Sequence, residues 1–214
     1  MPSLIDLVPG RFMAAQLRKP SGLFGRSVLA PLLNRRNARE FESVLESLRL
    51  DPEDRVLEVG FGGGQLIAEM LPALPRGRVC GADFSGDMVG YCTRRFARQI
   101  AAGVVEVTKA AAEGLPFPSC SFKKACTVNT VYFLEDPRSA VAELFRVLEP
   151  SGRLVIGFSP RAVLERVTVT RHGFTHYEPS EIERLLISAG FTSTESCESP
   201  GPRGGFVCTT AIKP

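Results

Sequence analysis

Short β-rich runs alternate with helical segments along most of the chain, and this alternation constrains the fold more than any other feature. Parallel strands must be joined by crossover connections, so such a pattern is typical of a mostly parallel sheet with helices on both faces. The β-rich runs lie at 55–60, 77–83, 104–108, 124–129, 153–158, 191–198 and 205–212. Only a turn joins the last two runs. The sequence therefore predicts an α/β fold of seven strands whose last strand is antiparallel.

The helical segments carry apolar residues at helical spacing. Within residues 38–48 the apolar residues lie at positions i, i+3, i+4 and i+7, and they are Phe41, Val44, Leu45 and Leu48. This spacing predicts a helix with one apolar face packed on the sheet. The same reasoning predicts further helices over about 85–101, 137–148 and 180–189, and a shorter helix around Leu66–Leu71.

The first 37 residues contain helix-compatible stretches interrupted by prolines, and they precede the first clear helix. Residues 1–40 carry seven Lys and Arg against two acidic residues, a net +5, whereas the whole chain is at +3. This excess fits an anionic substrate, a membrane surface or nucleic acid nearby, and equally a solvated basic helix. We predict a helical cap at 1–37 on a domain at 38–214, with 11–37 acting either as a mobile lid or as a fixed cap.

Composition excludes several classes of protein. Hydrophobic residues at 44% and charged residues at 23% are typical of one globular domain, and no apolar run is long enough to span a bilayer. The N-terminus lacks the features of a secretory leader, so a cytoplasmic protein is expected. Six cysteines without a C-x-x-C pair, and two histidines, predict neither a metal site nor a disulfide framework. Cys80, Cys126 and Cys208 are instead expected to be buried in strands.

A glycine loop, Gly60-Phe61-Gly62-Gly63-Gly64, follows the first strand and precedes a helix. Such a loop lets a ligand approach the backbone, although a tight turn without a ligand has the same composition. Asp83 ends the second strand, 23 residues after Gly60, at the distance from which a carboxylate accepts ribose hydroxyls. The dinucleotide pattern G-x-G-x-x-G requires a glycine where Gln65 stands, which disfavours a pyrophosphate ligand.

Four runs together resemble the ordered motifs of class I S-adenosylmethionine-dependent methyltransferases, especially the small ubiquinone/menaquinone-type branch. They are Val56–Gly64, Gly81–Ser85, Glu113–Phe117 and Leu148–Leu154, within a resemblance that covers about residues 38–160. The resemblance implies a Rossmann-like fold and S-adenosylmethionine as the cofactor.

The resemblance also implies which residues bind the two halves of that cofactor. The methionine half would be received by the glycine loop and the strand ends beside it, namely Glu58, Gly60, Phe61, Gly62, Gly64 and Asn129. The adenosine half would be bound by Asp83 at the ribose, Phe84 packed on the adenine, Met88 near the same pocket, and the backbone of Ala112 and Glu113 at the adenine edge. Where the family often has an acidic residue facing the adenine amine, this chain has Ala111.

Two residues are candidates for work on the methyl acceptor. Tyr132 follows the fourth strand, at the edge of the sheet where ligands bind. His176 lies in the long connection after the fifth strand, as does His172, and a histidine there could act as a general base. A surface histidine without a catalytic role is the alternative for both.

The acceptor itself is constrained mainly by exclusion. The segment Asn129-Thr130-Val131-Tyr132 lacks the Asn/Asp-Pro-Pro-aromatic motif of amine and amide methylation, and no Pro-Cys pair exists for methylation of cytosine carbon. No nucleic-acid partner is expected, and a small-molecule acceptor, anionic or lipid-like, leads. The alternatives are a nicotinamide-dependent oxidoreductase and a non-catalytic protein that binds an adenosyl ligand; the oligomeric state is open.

Overall fold

The computed structural model describes residues 10–18, 37–199 and 205–214, and these contain one seven-stranded sheet. Its order is β3-β2-β1-β4-β5-β7-β6. The strands are β1 (Arg55–Val59), β2 (Arg78–Asp83), β3 (Val105–Lys109), β4 (Phe122–Val128), β5 (Leu148–Phe158), β6 (Thr192–Ser199) and β7 (Phe206–Ile212). Strands β1 to β5 pair in parallel, and β7 is antiparallel to both of its neighbours. The predicted fold class is confirmed.

Helices cover both faces of this sheet. The α-helices of the described residues are α1 (Gly10–Arg18), α2 (Ala38–Leu48), α3 (Gln65–Met70), α4 (Gly86–Arg95), α5 (Ala97–Ala101), α6 (Pro137–Val147), α7 (Arg161–Leu164) and α8 (Pro179–Ser188). One buried cluster joins α2, α3 and α4 to one face of the sheet, and a second joins α6 and α8 to the other.

The helix α2 packs on the sheet through the predicted apolar face. Phe41, Val44 and Leu48 are buried, and Leu45 packs at the edge of the same cluster. The contact is close enough to require a glycine in the strand below, because a Cβ on Gly157 would lie 2.8 Å from Val44 Cγ2.

Two elements differ from their predicted bounds. The single helix predicted at 85–101 is two helices, α4 and α5, because the backbone leaves helical geometry at Phe96 (φ −105°, ψ 22°), whose ring is buried in the core. Strand β5 begins at Leu148, five residues before its predicted start, because Leu148 already pairs with Phe122. An irregularity in the pairing of β4 and β5 follows before the regular register resumes at Arg153.

The N-terminal helix α1 packs against the 3₁₀ turn Thr168–Arg171 and buries Met13 and Ala14. The rest of the predicted cap, 1–9 and 19–36, lies outside the described residues, as does most of the turn between β6 and β7. Within the described ranges no group of acidic, His and Cys side chains could hold a metal ion, and no helix there is long and apolar enough to cross a membrane. All six cysteines are free thiols, with Cys80, Cys126 and Cys208 buried as predicted.

Strand alternation directs two carboxylates to the same face. Val56 and Glu58 of β1, and Val79 and Asp83 of β2, are separated by even numbers of residues, so each pair shares one face. Val56 and Val79 belong to the cluster under α2, α3 and α4. Glu58 and Asp83 therefore lie on the face that the glycine loop covers.

Candidate active site

A cleft opens at the carboxyl edge of the sheet, where the strand order reverses between β1 and β4. It consists of two adjoining parts, with cavity volumes of about 250 and about 150 Å³. The parts share Arg18, Gly60, Asp83, Phe84, Thr130 and Phe133, and we call them together the central cleft. Its position at the reversal of strand order is where ligands bind in open α/β sheets.

The glycine loop adopts left-handed backbone conformations that suit glycine. Gly60 has φ +79°, and a Cβ there would lie 2.3 Å from Thr130 Oγ1, so the loop and the end of β4 are in direct contact. Gly64 precedes α3 with φ +69°, and a Cβ there would collide with Phe96 and Cys92. The loop is thus fixed in shape by packing beneath it.

Asp83 ties this loop to the second strand. Its Oδ2 accepts a hydrogen bond from the amide of Gly62 at 2.9 Å, and its Oδ1 accepts one from the amide of Ser85 at 2.8 Å. The side chain is 6% exposed and lines both parts of the central cleft. Burial raises the pKa of Asp83, and the two amide donors oppose that rise. Each carboxylate oxygen retains a second lone pair for a ligand hydroxyl.

Glu58 is the more strongly perturbed carboxyl. It is 3% exposed, and burial, followed by the charges of Asp83 and Glu69, raises its pKa to about 8, opposed by a hydrogen bond from the backbone of Ile67. Its Oε2 has no hydrogen-bond partner among the described residues, although Glu58 lines the central cleft. A buried acceptor without a donor, at the wall of a cleft, fits a cationic donor from a ligand.

Asn129 continues the cleft wall from the end of β4, with its backbone in the left-handed region (φ +54°). Its Nδ2 donates to Glu40 Oε2 at 2.6 Å, and its Oδ1 accepts from the hydroxyl of Tyr132 at 3.0 Å. The Tyr132 hydroxyl also accepts a hydrogen bond from the amide of Ser159. The side chain of Asn129 is therefore held by protein partners on both sides.

Ten of the eleven residues predicted to bind the cofactor line the central cleft. They are Glu58, Gly60, Phe61, Gly62, Asp83, Phe84, Met88, Ala112, Glu113 and Asn129. Gly64 does not line the cleft. It lies where the loop packs on Phe96 and Cys92. The lining does include Ala111, which stands where the family often has an acidic residue.

The two predicted catalytic residues are not in that lining. Tyr132 is 4% exposed, and its hydroxyl lies in the network with Asn129 and Ser159. His176 faces Thr170, with 3.1 Å between its Nε2 and the carbonyl oxygen, so Nε2 must carry the proton. Contact of either residue with an acceptor stays a prediction.

Sequence reasoning missed two residues of the site. Glu40 is 4% exposed on α2 and bonds Asn129. It lies four and eight residues before Val44 and Leu48, on their buried face, and a charged side chain at that position was the available signal. Arg18 lines both parts of the central cleft from α1, and nothing in the sequence placed that helix there.

Comparison with known proteins agrees with this geometry. Residues 57–156 match the family model described as a methyltransferase domain, a stretch that contains the glycine loop, Asp83 and Asn129. This region is a class I S-adenosylmethionine-dependent methyltransferase domain. The family predicted from the sequence is confirmed, and S-adenosylmethionine is the cofactor of that family.

Relatives of the methyltransferase domain differ in the atom they methylate. The chain is 33% identical over 123 residues to a ubiquinone/menaquinone biosynthesis C-methyltransferase of Geotalea daltonii, covering 56% of this chain and 52% of that protein. It is 28% identical over 197 residues to an O-methyltransferase of Penicillium expansum, covering 88% and 68%. The chain spans between about a third and two thirds of the length of the first curated relatives that it matches.

A solved structure shares the fold. A methyltransferase from Aquifex aeolicus described as S-adenosylmethionine-dependent superposes with a TM-score of 0.67 at 21% identity, covering 94% of this chain and 97% of that one. The similarity extends beyond the matched domain to nearly the whole chain.

Replacing Glu58 with glutamine should change how the stability of the ligand-free protein depends on pH. The folded state keeps the Glu58 carboxyl protonated up to about pH 8, whereas the unfolded chain ionises it near 4.5, so wild-type stability falls as pH rises between these values. E58Q does not lose stability in this way, because glutamine does not ionise. Its stability relative to wild type should increase with pH, by on the order of 2–4 kcal/mol between pH 4.5 and 8. Denaturant unfolding at several pH values measures the difference.

The exposed Glu42 on α2 provides the matched control, because E42Q makes the same chemical change in solvent. Any pH dependence of the E58Q difference beyond that of E42Q is then due to the burial of Glu58. A constant difference between E58Q and wild type would mean that Glu58 ionises as an exposed glutamate does.

Proposed function

We propose that the chain transfers a methyl group from S-adenosylmethionine to a small-molecule acceptor. The observation that carries the proposal is the pair of buried carboxyls, Glu58 and Asp83, at the wall of a cleft closed by the glycine loop. One carboxyl is positioned for a cation, and the other for hydroxyl groups.

The adenosine half of the cofactor fits the second and third strand ends. We assign the ribose hydroxyls to Asp83, whose carboxylate faces the cleft while its amide donors hold it in place. Phe84 is assigned to the adenine face, and the backbone of Ala112 and Glu113 to the adenine edge. The Glu113 carboxylate accepts hydrogen bonds from the amides of Glu135 and Asp136, which leaves the backbone of this segment to meet the ligand.

The methionine half fits the end of β1. Its ammonium group would donate to Glu58 Oε2, and its carboxylate would lie near the glycine-loop amides and Arg18. NAD has no ammonium group to pair with the buried Glu58 carboxyl, so such a site favours S-adenosylmethionine over NAD. Gln65 also stands where a dinucleotide site requires glycine, with its side chain bonded to Glu69 and Arg95.

The transfer step needs little chemistry from the protein. The bound cofactor supplies an electrophilic methyl group on a sulfonium sulfur. The residues of the cleft orient both reactants and exclude water, and orientation alone can contribute about 7–11 kcal/mol. We assign Tyr132 a positioning role through Asn129. Phe133 and Leu134 give the cleft an apolar wall, which favours a small or lipid-like acceptor.

S-adenosylhomocysteine should bind the protein, and NAD should bind at least a hundredfold more weakly, because only the former has an ammonium group for Glu58 and lacks a pyrophosphate. Asp83→Ala should weaken S-adenosylhomocysteine binding by roughly 1.5–3 kcal/mol, since hydrogen bonds to a charged group are lost. Titration calorimetry measures both.

Asp83→Asn separates ligand contact from loop support, since it retains one oxygen acceptor at the same place. It should weaken binding less than Asp83→Ala. Equal or better binding of NAD would contradict the proposal, and wild-type affinity in a folded Asp83→Ala protein would place the ribose elsewhere.

We also propose that the N-terminal segment moves during cofactor exchange. Helix α1 reaches the central cleft through Arg18, which pairs with Glu135 at 2.6 Å across its mouth. Both side chains are substantially exposed, at 43% and 83%, so the pair contributes at most about 1 kcal/mol and can break readily. A weak ion pair suits a segment that must open to exchange a large cofactor.

Hydrogen exchange tests this lid. Amides within 11–37 should become more protected when S-adenosylhomocysteine binds, whereas amides of α8, on the opposite face, should not change. High protection of 11–37 in the free protein, unaltered by the ligand, would identify a fixed cap instead.

A further inference from the structure

A second, basic pocket adjoins the central cleft. Its lining includes Arg11 and Arg18 of α1, Arg171 at the end of the 3₁₀ turn, and His172 and Gly173 directly after it. No acidic side chain contributes to this lining among the described residues. We call this the basic pocket.

One side of the basic pocket is helix α1, and the other is a turn held in place by hydrogen bonds. Arg11 and Arg18 are seven residues apart, so they lie on one face of α1 two turns from each other. Thr170 anchors the opposite side, because its buried hydroxyl contacts the carbonyl oxygens of Leu164 at 2.6 Å and Val167 at 2.7 Å. His176 Nε2 donates to the Thr170 carbonyl, which fixes the same turn from below.

Two features connect the basic pocket to the central cleft. Arg18 lines both. Gly173, at the edge of the basic pocket, is followed by Phe174, whose ring packs on Phe133 with the ring centroids 4.5 Å apart. Phe133 lines the central cleft. The Phe133–Phe174 ring contact therefore joins the wall of the central cleft to the residue next to Gly173.

The two cavities differ in their ionisable side chains, and they share Arg18, which is paired with Glu135. The central cleft has Glu58 and Asp83 buried in its wall, whereas the basic pocket presents three guanidinium groups. Arginine binds phosphate and carboxylate in forked geometry, and guanidinium groups converging from two elements favour an anion. A molecule that reaches from one cavity into the other would carry its anionic group at the basic pocket.

We infer that the methyl acceptor is an amphiphilic anion. Its apolar body lies along Phe133 and Phe174, and its phosphate or carboxylate group binds Arg11, Arg171 and His172. The inference rests on the proposed methyl transfer and names the acceptor class of that same site. It also gives His176 a positioning role in the turn that carries Arg171.

Titration calorimetry with octyl phosphate and octanoate tests this inference directly. In wild-type protein saturated with S-adenosylhomocysteine, octyl phosphate should bind at least tenfold more tightly than inorganic phosphate, octanol or octyltrimethylammonium. R11Q and R171Q should each weaken octyl phosphate binding about tenfold, since each removes a charged hydrogen-bond donor. The control R98Q, on the exposed face of α5, should leave it unchanged.

Phe174→Ala separates the two parts of the acceptor. It should weaken the binding of octyl phosphate severalfold and leave inorganic phosphate unaffected. Octyl phosphate that binds no better than octanol, or equally well in R11Q and R171Q, would overturn the inference.

Two further measurements are made. One distinguishes a membrane from a free anion as the ligand of the basic pocket, and the other distinguishes failure of this inference from failure of the proposed methyl transfer. Vesicles of phosphatidylglycerol that bind the protein, when monomeric octyl phosphate does not, would make the basic pocket a membrane-docking surface and overturn the inference. S-adenosylhomocysteine binding is measured in the same proteins. If the wild-type protein binds octyl phosphate but not S-adenosylhomocysteine, the proposed methyl transfer alone is contradicted. If it binds S-adenosylhomocysteine but not octyl phosphate, this inference alone is contradicted.

Discussion

The burial of two carboxyl groups beneath one glycine loop is the constraint on which the rest of the site depends. Asp83 offsets its burial through the amides of Gly62 and Ser85, and this fixes the loop to the second strand. Glu58 has weaker compensation, and burial raises its pKa to about 8. A protein that retains such a group in its wall gives up stability near neutral pH, and a cationic ligand group can recover it.

The fold was predictable because its signals are local. The spacing of Phe41, Val44 and Leu48 defined a helix face, and alternating elements defined the parallel sheet. The errors lie where tertiary packing overrides local preference. Phe96 ends α4 because its ring is needed in the core, and Leu148 joins a strand because it pairs with Phe122.

The lining of the central cleft was predictable where it follows strand ends in sequence, as at Gly60 and Asp83. Contacts between distant segments were not predictable. Glu40 meets Asn129 from 89 residues away, and α1 brings Arg18 to the cleft. Tyr132 illustrates the same limit, since its position after β4 was visible in the sequence, but the direction of its hydroxyl depends on Ser159.

The number of protons exchanged when S-adenosylhomocysteine binds tests the pairing of Glu58 with the ligand most directly. Titration calorimetry at pH 7, in buffers of different ionisation enthalpy, measures it. Because Glu58 is largely protonated in the free protein and should ionise beside the ligand ammonium, binding should release close to one proton and strengthen as pH approaches 8. E58Q should release none. Binding without proton release in the wild-type protein, or with equal release in E58Q, would contradict the account.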